Sequence, residues 1–272
     1  PRTRTGSTGA IRRSSSARQS SEKRSSPPAA RRSAIRPRKV SVRCARAAGG
    51  EDLFSELCRA EDEDGVHWSD QEIVDHFNFL MMAAHDTTTS ALTTMAWALA
   101  EHPDWQEAIR EELAGLPDGP LPYEALEEMV VTERVFREAL RLMPPVPFIP
   151  RVAFEGFSWA GHDIPAGAPV VVAPGLVMRD PALWSDPDRF DPDRFTSNRA
   201  EDRNHRFAWA PFGGGAHKCI GLNFAYMQVK AFTRALLSRH RLELAEGGAG
   251  TDWAIVPIPK PKNGLPLRLR PV

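Results

Sequence analysis

The chain has 272 residues, 42% of them apolar, enough for one large domain or two small ones around a proper core. Its three cysteines, Cys44, Cys58 and Cys219, form no C-x-x-C pair, which argues against a disulfide framework or a zinc site built from cysteines. The net charge of zero hides an asymmetry, because residues 1–50 hold 14 Lys/Arg against one acid, Glu22, and the rest holds 21 basic and 34 acidic residues.

Residues 1–50 are rich in Arg, Ser, Pro and Ala, with no hydrophobic periodicity and no aromatic residue. Such a segment cannot bury enough surface to offset the entropy of ordering it, so disorder is expected. Three readings compete. A basic nucleic-acid arm would carry aromatic residues between its arginines, and none is present, so no nucleic-acid partner is expected. A transit peptide fits the composition, although the Ser/Pro clusters interrupt any amphipathic helix. The favoured reading is a spurious or mis-framed start joined to a real domain at residues 51–272.

From Glu51 onward the text changes. Ser69 and Glu72 form a capping box, which predicts a helix from about Asp70 to Glu101. Its apolar residues (Ile73, Phe77, Phe79, Leu80, Met81, Met82, Leu92, Met95, Trp97, Leu99) surround the axis, so the helix is expected to run through the middle of the domain. Its most apolar part, Ala91 to Ala100, is broken by threonines, and no run is long enough to span a bilayer. Pro103 opens a second helix that stops near Gly115, and a third runs from about Glu128 to Leu142, halted by Pro144 and Pro145.

Dense prolines from Pro144 to Pro192 predict turns and short strands. A last helix is expected from Cys219 to Arg239. The alternating "RLELAE" and "LPLRLR" read as strands, joined by a hairpin turn at Asn263–Gly264. The predicted class is mainly α with small antiparallel sheets.

The stretch "PFGGGAHKCIG", Pro211 to Gly221, places one cysteine after a run of glycines and just before a helix. Backbone N–H groups there favour a thiolate, and haem iron takes a single cysteine. By itself, a glycine-rich turn with an inert cysteine is the commoner reading. The spacing alters that balance: Phe212-x-x-Gly215-x-His217-x-Cys219-x-Gly221 resembles the haem-binding signature of the cytochrome P450 family. With this chain's composition it arises by chance roughly once in fifty thousand such chains.

Three further stretches resemble that family, in its order. "AAHDTTTS" places Ala83 and Thr87 on one helix face with Asp86 beside them, like the family's oxygen-activating segment. The Thr87 hydroxyl can bond the carbonyl one turn back and loosen the ladder there, while Ala84 stands where glycine is common. "EALR" supplies Glu138 and Arg141, and "DPDRF" supplies Arg194, with Asp193 where glutamate is usual; the resemblance implies that the three form a buried triad. The intervening "GHDIPAGAPVVV" and "MRDPALWSDPDRF" are similar to the family's spacer, with Met178 in place of a common histidine.

The resemblance implies a cytochrome P450-type fold without its N-terminal half, and haem b bound by Cys219. It implies a loop built from Phe212, Gly213, Gly215 and Gly221, with His217 and Arg151 on the propionates. It further implies protons delivered by Asp86 and Thr87, and a lipophilic pocket lined by Ala83, Ala84, Phe148, Ile149 and Val256. The reaction implied is monooxygenation: one atom of O2 enters a lipophilic small molecule, with electrons from NAD(P)H through a ferredoxin or flavoprotein. A cytoplasmic location is expected, with no membrane span in this chain, although a complete form could carry an anchor. The alternative is a truncated haem-binding pseudo-enzyme.

Overall fold

A computed structural model of the chain describes residues 49–246, 248 and 250–272. The expectation of disorder for residues 1–50 therefore lies outside the described residues, except for the last two positions. The helices are α1 (Leu53–Arg59), α2 (Asp70–Glu101), α3 (Pro103–Ala114), α4 (Val130–Leu142), α5 (Pro174–Val177) and α6 (Leu222–Leu237). The strands are β1 (Ile149–Val152), β2 (Phe157–Trp159), β3 (His162–Ile164), β4 (Pro169–Val172), β5 (His240–Leu244), β6 (Trp253–Ala254), β7 (Lys260–Pro261) and β8 (Leu267–Pro271). They pair as four antiparallel two-stranded sheets, β1–β4, β2–β3, β5–β8 and β6–β7.

The capping box forms as expected. The Ser69 hydroxyl accepts from the Glu72 amide at 3.3 Å, and the Ser69 amide donates to the Glu72 carboxylate at 2.8 Å. Only the second half of α2 is embedded, however. Ala91, Met95, Ala98 and Leu99 join a core with Ile109 and Leu113 of α3, Val135, Phe136, Ala139 and Leu140 of α4, Val229 and Leu237 of α6, and Leu242 of β5. In the first half Phe79, Met81 and Met82 are exposed. Ile73 is buried against α1, where Cys58, Phe54 and Leu57 meet it, and Phe54 packs edge-on against Phe77 at 5.4 Å. The expectation of a helix running through the middle holds for residues 90–101. The first half is covered in part by α1 and by Trp68, whose ring lies 4.2 Å from that of His76.

Buried Gln106 joins three elements with one amide. Its Nε2 donates to the carbonyls of Leu99 and Leu242, both at 2.8 Å, and its Oε1 accepts from the Leu242 amide at 2.7 Å. The β5–β8 pairing runs from His240↔Pro271 to Leu244↔Leu267. The two predicted strands thus meet, but not through a two-residue turn: β6 and β7 lie between them, and the Asn263–Gly264 turn only leads out of β7. A two-residue hairpin turn lies at Ala160–Gly161 between β2 and β3, where both residues have positive φ, 50° and 81°, as such a turn requires.

The proline-dense segment is organised by three side chains at the end of α4 and in a 3₁₀ turn at Pro192–Phe195. Glu138, Arg141 and Arg194 are each 0% exposed. Glu138 grips Arg141 with both oxygens, at 2.7 and 2.9 Å, and accepts from Arg194 at 3.2 Å and from the Asp191 amide at 2.9 Å. The remaining Arg141 donors reach the carbonyls of Met178, Pro187 and Arg189. Those of Arg194 reach the carbonyls of Ser185, Asp186 and Arg189 and the Glu201 carboxylate. Asp193, adjacent in sequence, stays outside and pairs with Arg134.

Two acids that the sequence pattern does not mark close the network: Glu201 also pairs with Arg199 at 2.6 Å, and Arg199 with Asp191 at 2.7 Å. Burial pushes the Glu201 carboxyl upward, but Arg199, Ser185 and Arg194 outweigh it and hold the group at about 2. Replacing Glu138 with Ala strands two buried guanidinium groups, so a loss of roughly 3–5 kcal/mol is expected, read as a shift of the urea midpoint or as insoluble protein. Because the folded Glu201 value lies below the ordinary 4.5, its contribution is complete above pH 4.5 and disappears as pH falls toward 2. Stability should therefore drop more steeply across that window in the native chain than in Glu201→Gln, as followed by acid titration of the helical circular-dichroism signal.

Candidate functional site

The cysteine loop hangs from Phe212. The Cys219 amide donates to the Phe212 carbonyl at 2.9 Å, closing the loop on itself. The helix α6 starts at Leu222 rather than at Cys219 as expected, with Gly221 as its N-terminal flank. Gly213 and Gly215 have φ of +67° and +68°, a region that a side chain disfavours by roughly 1–2 kcal/mol. Gly214 is extended and is required for a different reason: a Cβ there would stand 2.7 Å from the Phe207 ring. Cys219 is a free, exposed thiol.

The loop forms one wall of a cavity of about 360 Å³. Phe212, Gly213, His217, Cys219 and Gly221 line it from the loop. Ala83, Ala84, Thr87 and Thr88 line it from α2, and Ile149 and Arg151 from β1. Three chain segments far apart in sequence, α2, β1 and the cysteine loop, thus share one space, because the α2, α4 and α6 core presents them around it. Thr87 Oγ1 donates to the Ala83 carbonyl at 2.7 Å, the bond one turn back that the sequence suggests, and the helix continues through it. Thr89 and Thr93 make the same bond to the carbonyls of His85 and Thr89.

Other sequence-predicted residues stand apart. Asp86 is exposed beside the cavity, with His85 Nδ1 2.8 Å from its carboxylate. Phe148 and Val256 are exposed and do not line the cavity. Gly215 shapes the loop from outside the lining. Ile220, which the sequence reading passed over, is 92% exposed and lines the cavity directly beside Cys219. Its signal was only its place in the cysteine motif.

Comparison with known proteins decides the family. The cytochrome P450 family model matches residues 30–257. The chain belongs to the cytochrome P450 family. It is 45% identical over 226 residues to a putative cytochrome P450 136 of Mycobacterium tuberculosis, covering 83% of this chain and 46% of that protein. It is 37% identical over 201 residues to a sterol 14alpha-demethylase of Mycolicibacterium vanbaalenii, covering 72% and 44%. The structure of retinoic acid bound cyanobacterial CYP120A1 superposes with a TM-score of 0.79 at 32% identity, over 85% of this chain and 54% of that one. The chain thus spans about half the length of the P450 relatives it matches. The mainly α architecture with small antiparallel sheets is part of the P450 fold.

Haem b is the cofactor of P450 proteins. The residues present fit it: an exposed thiol, an exposed apolar side chain at Ile220 for a flat macrocycle to cover, and the Arg151 guanidinium and His217 imidazole as donors for its carboxylates. Among the described residues, no group of three His, Cys, Asp or Glu could hold a metal ion. No helix among them is long and apolar enough to cross a membrane.

The Gly214 contact has a testable consequence. Gly214→Ala should destabilise the loop, and Phe207→Ala should relieve much of that cost. A double-mutant cycle in urea should therefore show the pair less destabilised than the sum of its members; strict additivity would mean that the ring does not confine the loop.

Proposed function

We propose that this chain carries the haem-thiolate half of a monooxygenase that inserts one atom of O2 into a lipophilic small molecule. The observation that supports it best is the shared cavity, in which Cys219 and the Thr87 turn of α2 line the same apolar space. Haem b bound there supplies reductive activation of O2, with one oxygen atom going to the substrate and the other to water. Cys219 would hold the iron as thiolate, and the closed loop fixes where its sulfur stands. Arg151 and His217, which line the cavity, would pair with the propionates and orient the macrocycle.

Thr87 donates its own proton to Ala83, so its oxygen can accept a second hydrogen bond from within the cavity. Asp86, exposed one residue earlier, can exchange protons with solvent and pass them toward Thr87. Ala83, Ala84 and Ile149 offer only apolar surface, which favours a lipophilic substrate. Electrons come from NAD(P)H through a ferredoxin or flavoprotein donor, in a cytoplasmic setting.

A second reading, a haem-binding chain without oxygenase activity, draws on the open rim, where Phe79, Ile220 and Phe224 remain exposed. The deciding experiment is the reduced, carbon-monoxide difference spectrum of the haem-supplied chain. The red-shifted band of thiolate ligation is expected, and it should vanish in Cys219→Ala. A thiolate band that survives in Cys219→Ala removes the ligand assignment. Peroxide-driven oxidation of a lipophilic probe supports the enzyme, while haem bleaching without product supports the second reading.

A further inference from the structure

Arg137 occupies a place in α4 that neither the cysteine motif nor the triad explains. Its guanidinium carbon lies 4.2 Å from the centre of the Phe195 ring and 4.8 Å from that of Trp209. Its Nη2 is 2.9 Å from the Asp202 carboxylate, whereas its Nε is buried without an acceptor. Phe195 and Trp209 touch each other edge-on, 6.2 Å apart at 77°, and the cation sits in the corner of this pair, where the rings attract it electrostatically. Trp209 returns the contact: its Nε1 donates to the Arg137 carbonyl at 3.1 Å. One residue therefore holds the same indole through its side chain and through its backbone.

The position of that indole gives the contact its meaning. Trp209 packs at 6.0 Å against Phe212, whose carbonyl accepts from the Cys219 amide. Phe212 meets Tyr226 of α6 at 6.0 Å, and Tyr226 meets Phe136 of α4 edge-on at 5.4 Å. On the other side Phe195 directly follows Arg194, the triad member gripped by Glu138. The neighbours Arg137 and Glu138 thus hold the neighbours Phe195 and Arg194.

We propose that Arg137 is a positioning residue for the cysteine loop, its guanidinium bracing the Phe195–Trp209 ring pair that joins the buried charge cluster to the fixed end of the loop at Phe212. Its bearing on the reaction rests on Cys219 being the iron ligand, whereas its action on the loop does not.

The test uses the full chain without haem first. Amide exchange of the peptide containing Cys219 should be about tenfold faster in Arg137→Ala than in the native chain, with residues 90–101 of α2 unchanged. Arg137→Lys keeps the charge for Asp202 but lacks the planar guanidinium that contacts both rings at once, so it should fail to restore protection. Equal protection of the Cys219 amide in all three proteins overturns the proposal, as does full rescue by Lys, which would make Asp202 the operative partner.

In the haem-loaded chain, Arg137→Ala should convert faster from the thiolate-type to the thiol-type carbon-monoxide band. A native chain that binds haem without any thiolate band, yet shows the exchange difference, sinks the ligand assignment and leaves the loop clamp standing. A native thiolate band with no exchange difference does the reverse.

Discussion

Glu138 holds two guanidinium groups in a volume from which water is excluded, and most of the chain between α4 and the cysteine loop is arranged around them. Taking such charges out of water costs several kcal/mol each, so the arrangement persists only where nearly every donor and acceptor is used. Here they are used. All five N–H groups of Arg141 and all five of Arg194 reach acceptors, and Glu138 accepts from both arginines and from the Asp191 amide. Most remaining acceptors are backbone carbonyls of residues 178–189. A segment too rich in proline to form its own ladder therefore obtains its hydrogen bonds from arginine side chains.

Charge balance extends the same constraint outward. Three cations, Arg141, Arg194 and Arg199, face three anions, Glu138, Glu201 and Asp191. Burial alone would favour the protonated forms of Glu201 and Asp191, yet both carboxyls are held low because Arg199 lies between them. Trp184, fully buried, lies 5.2 Å from the Arg141 guanidinium and 5.8 Å from the Phe195 ring, carrying the packing from the charges to the aromatic row that ends at the loop.

The cavity inherits its shape from this frame. The α2, α4 and α6 core sets the separation of its walls, and the charge cluster with the Trp209–Phe212 contact sets where the loop begins. The two left-handed glycines and the Cys219–Phe212 hydrogen bond then determine how the chain returns to present the thiol. A haem held by Cys219 would depend on this frame, because the loop would set the position of its one cysteine ligand.

The parts legible in the sequence share one property: their partners are close along the chain, or their spacing is itself the chemistry. The Ser69–Glu72 box, the Thr87–Ala83 bond, the Glu138–Arg141 pair and the Cys219 loop all close within a few residues, so residue types at fixed offsets specify them. Arg194, 56 positions from Glu138, was legible only through its place in the family's pattern, and the folded chain alone decided the other distant partners. Glu201 and Arg199 entered the charge cluster from a stretch with no distinguishing pattern. Gln106 found β5 across 136 positions, and Arg137 found an indole across 72. The exposure of the first half of α2 and the long closure of β5 on β8 were hidden for a related reason. An apolar side chain shows that it can be buried, and an alternating strand that it can pair; neither identifies what will cover or pair with it. Backbone carbonyls, which hold most of the arginine donors here, are the same at every position, so only the tertiary structure could select them.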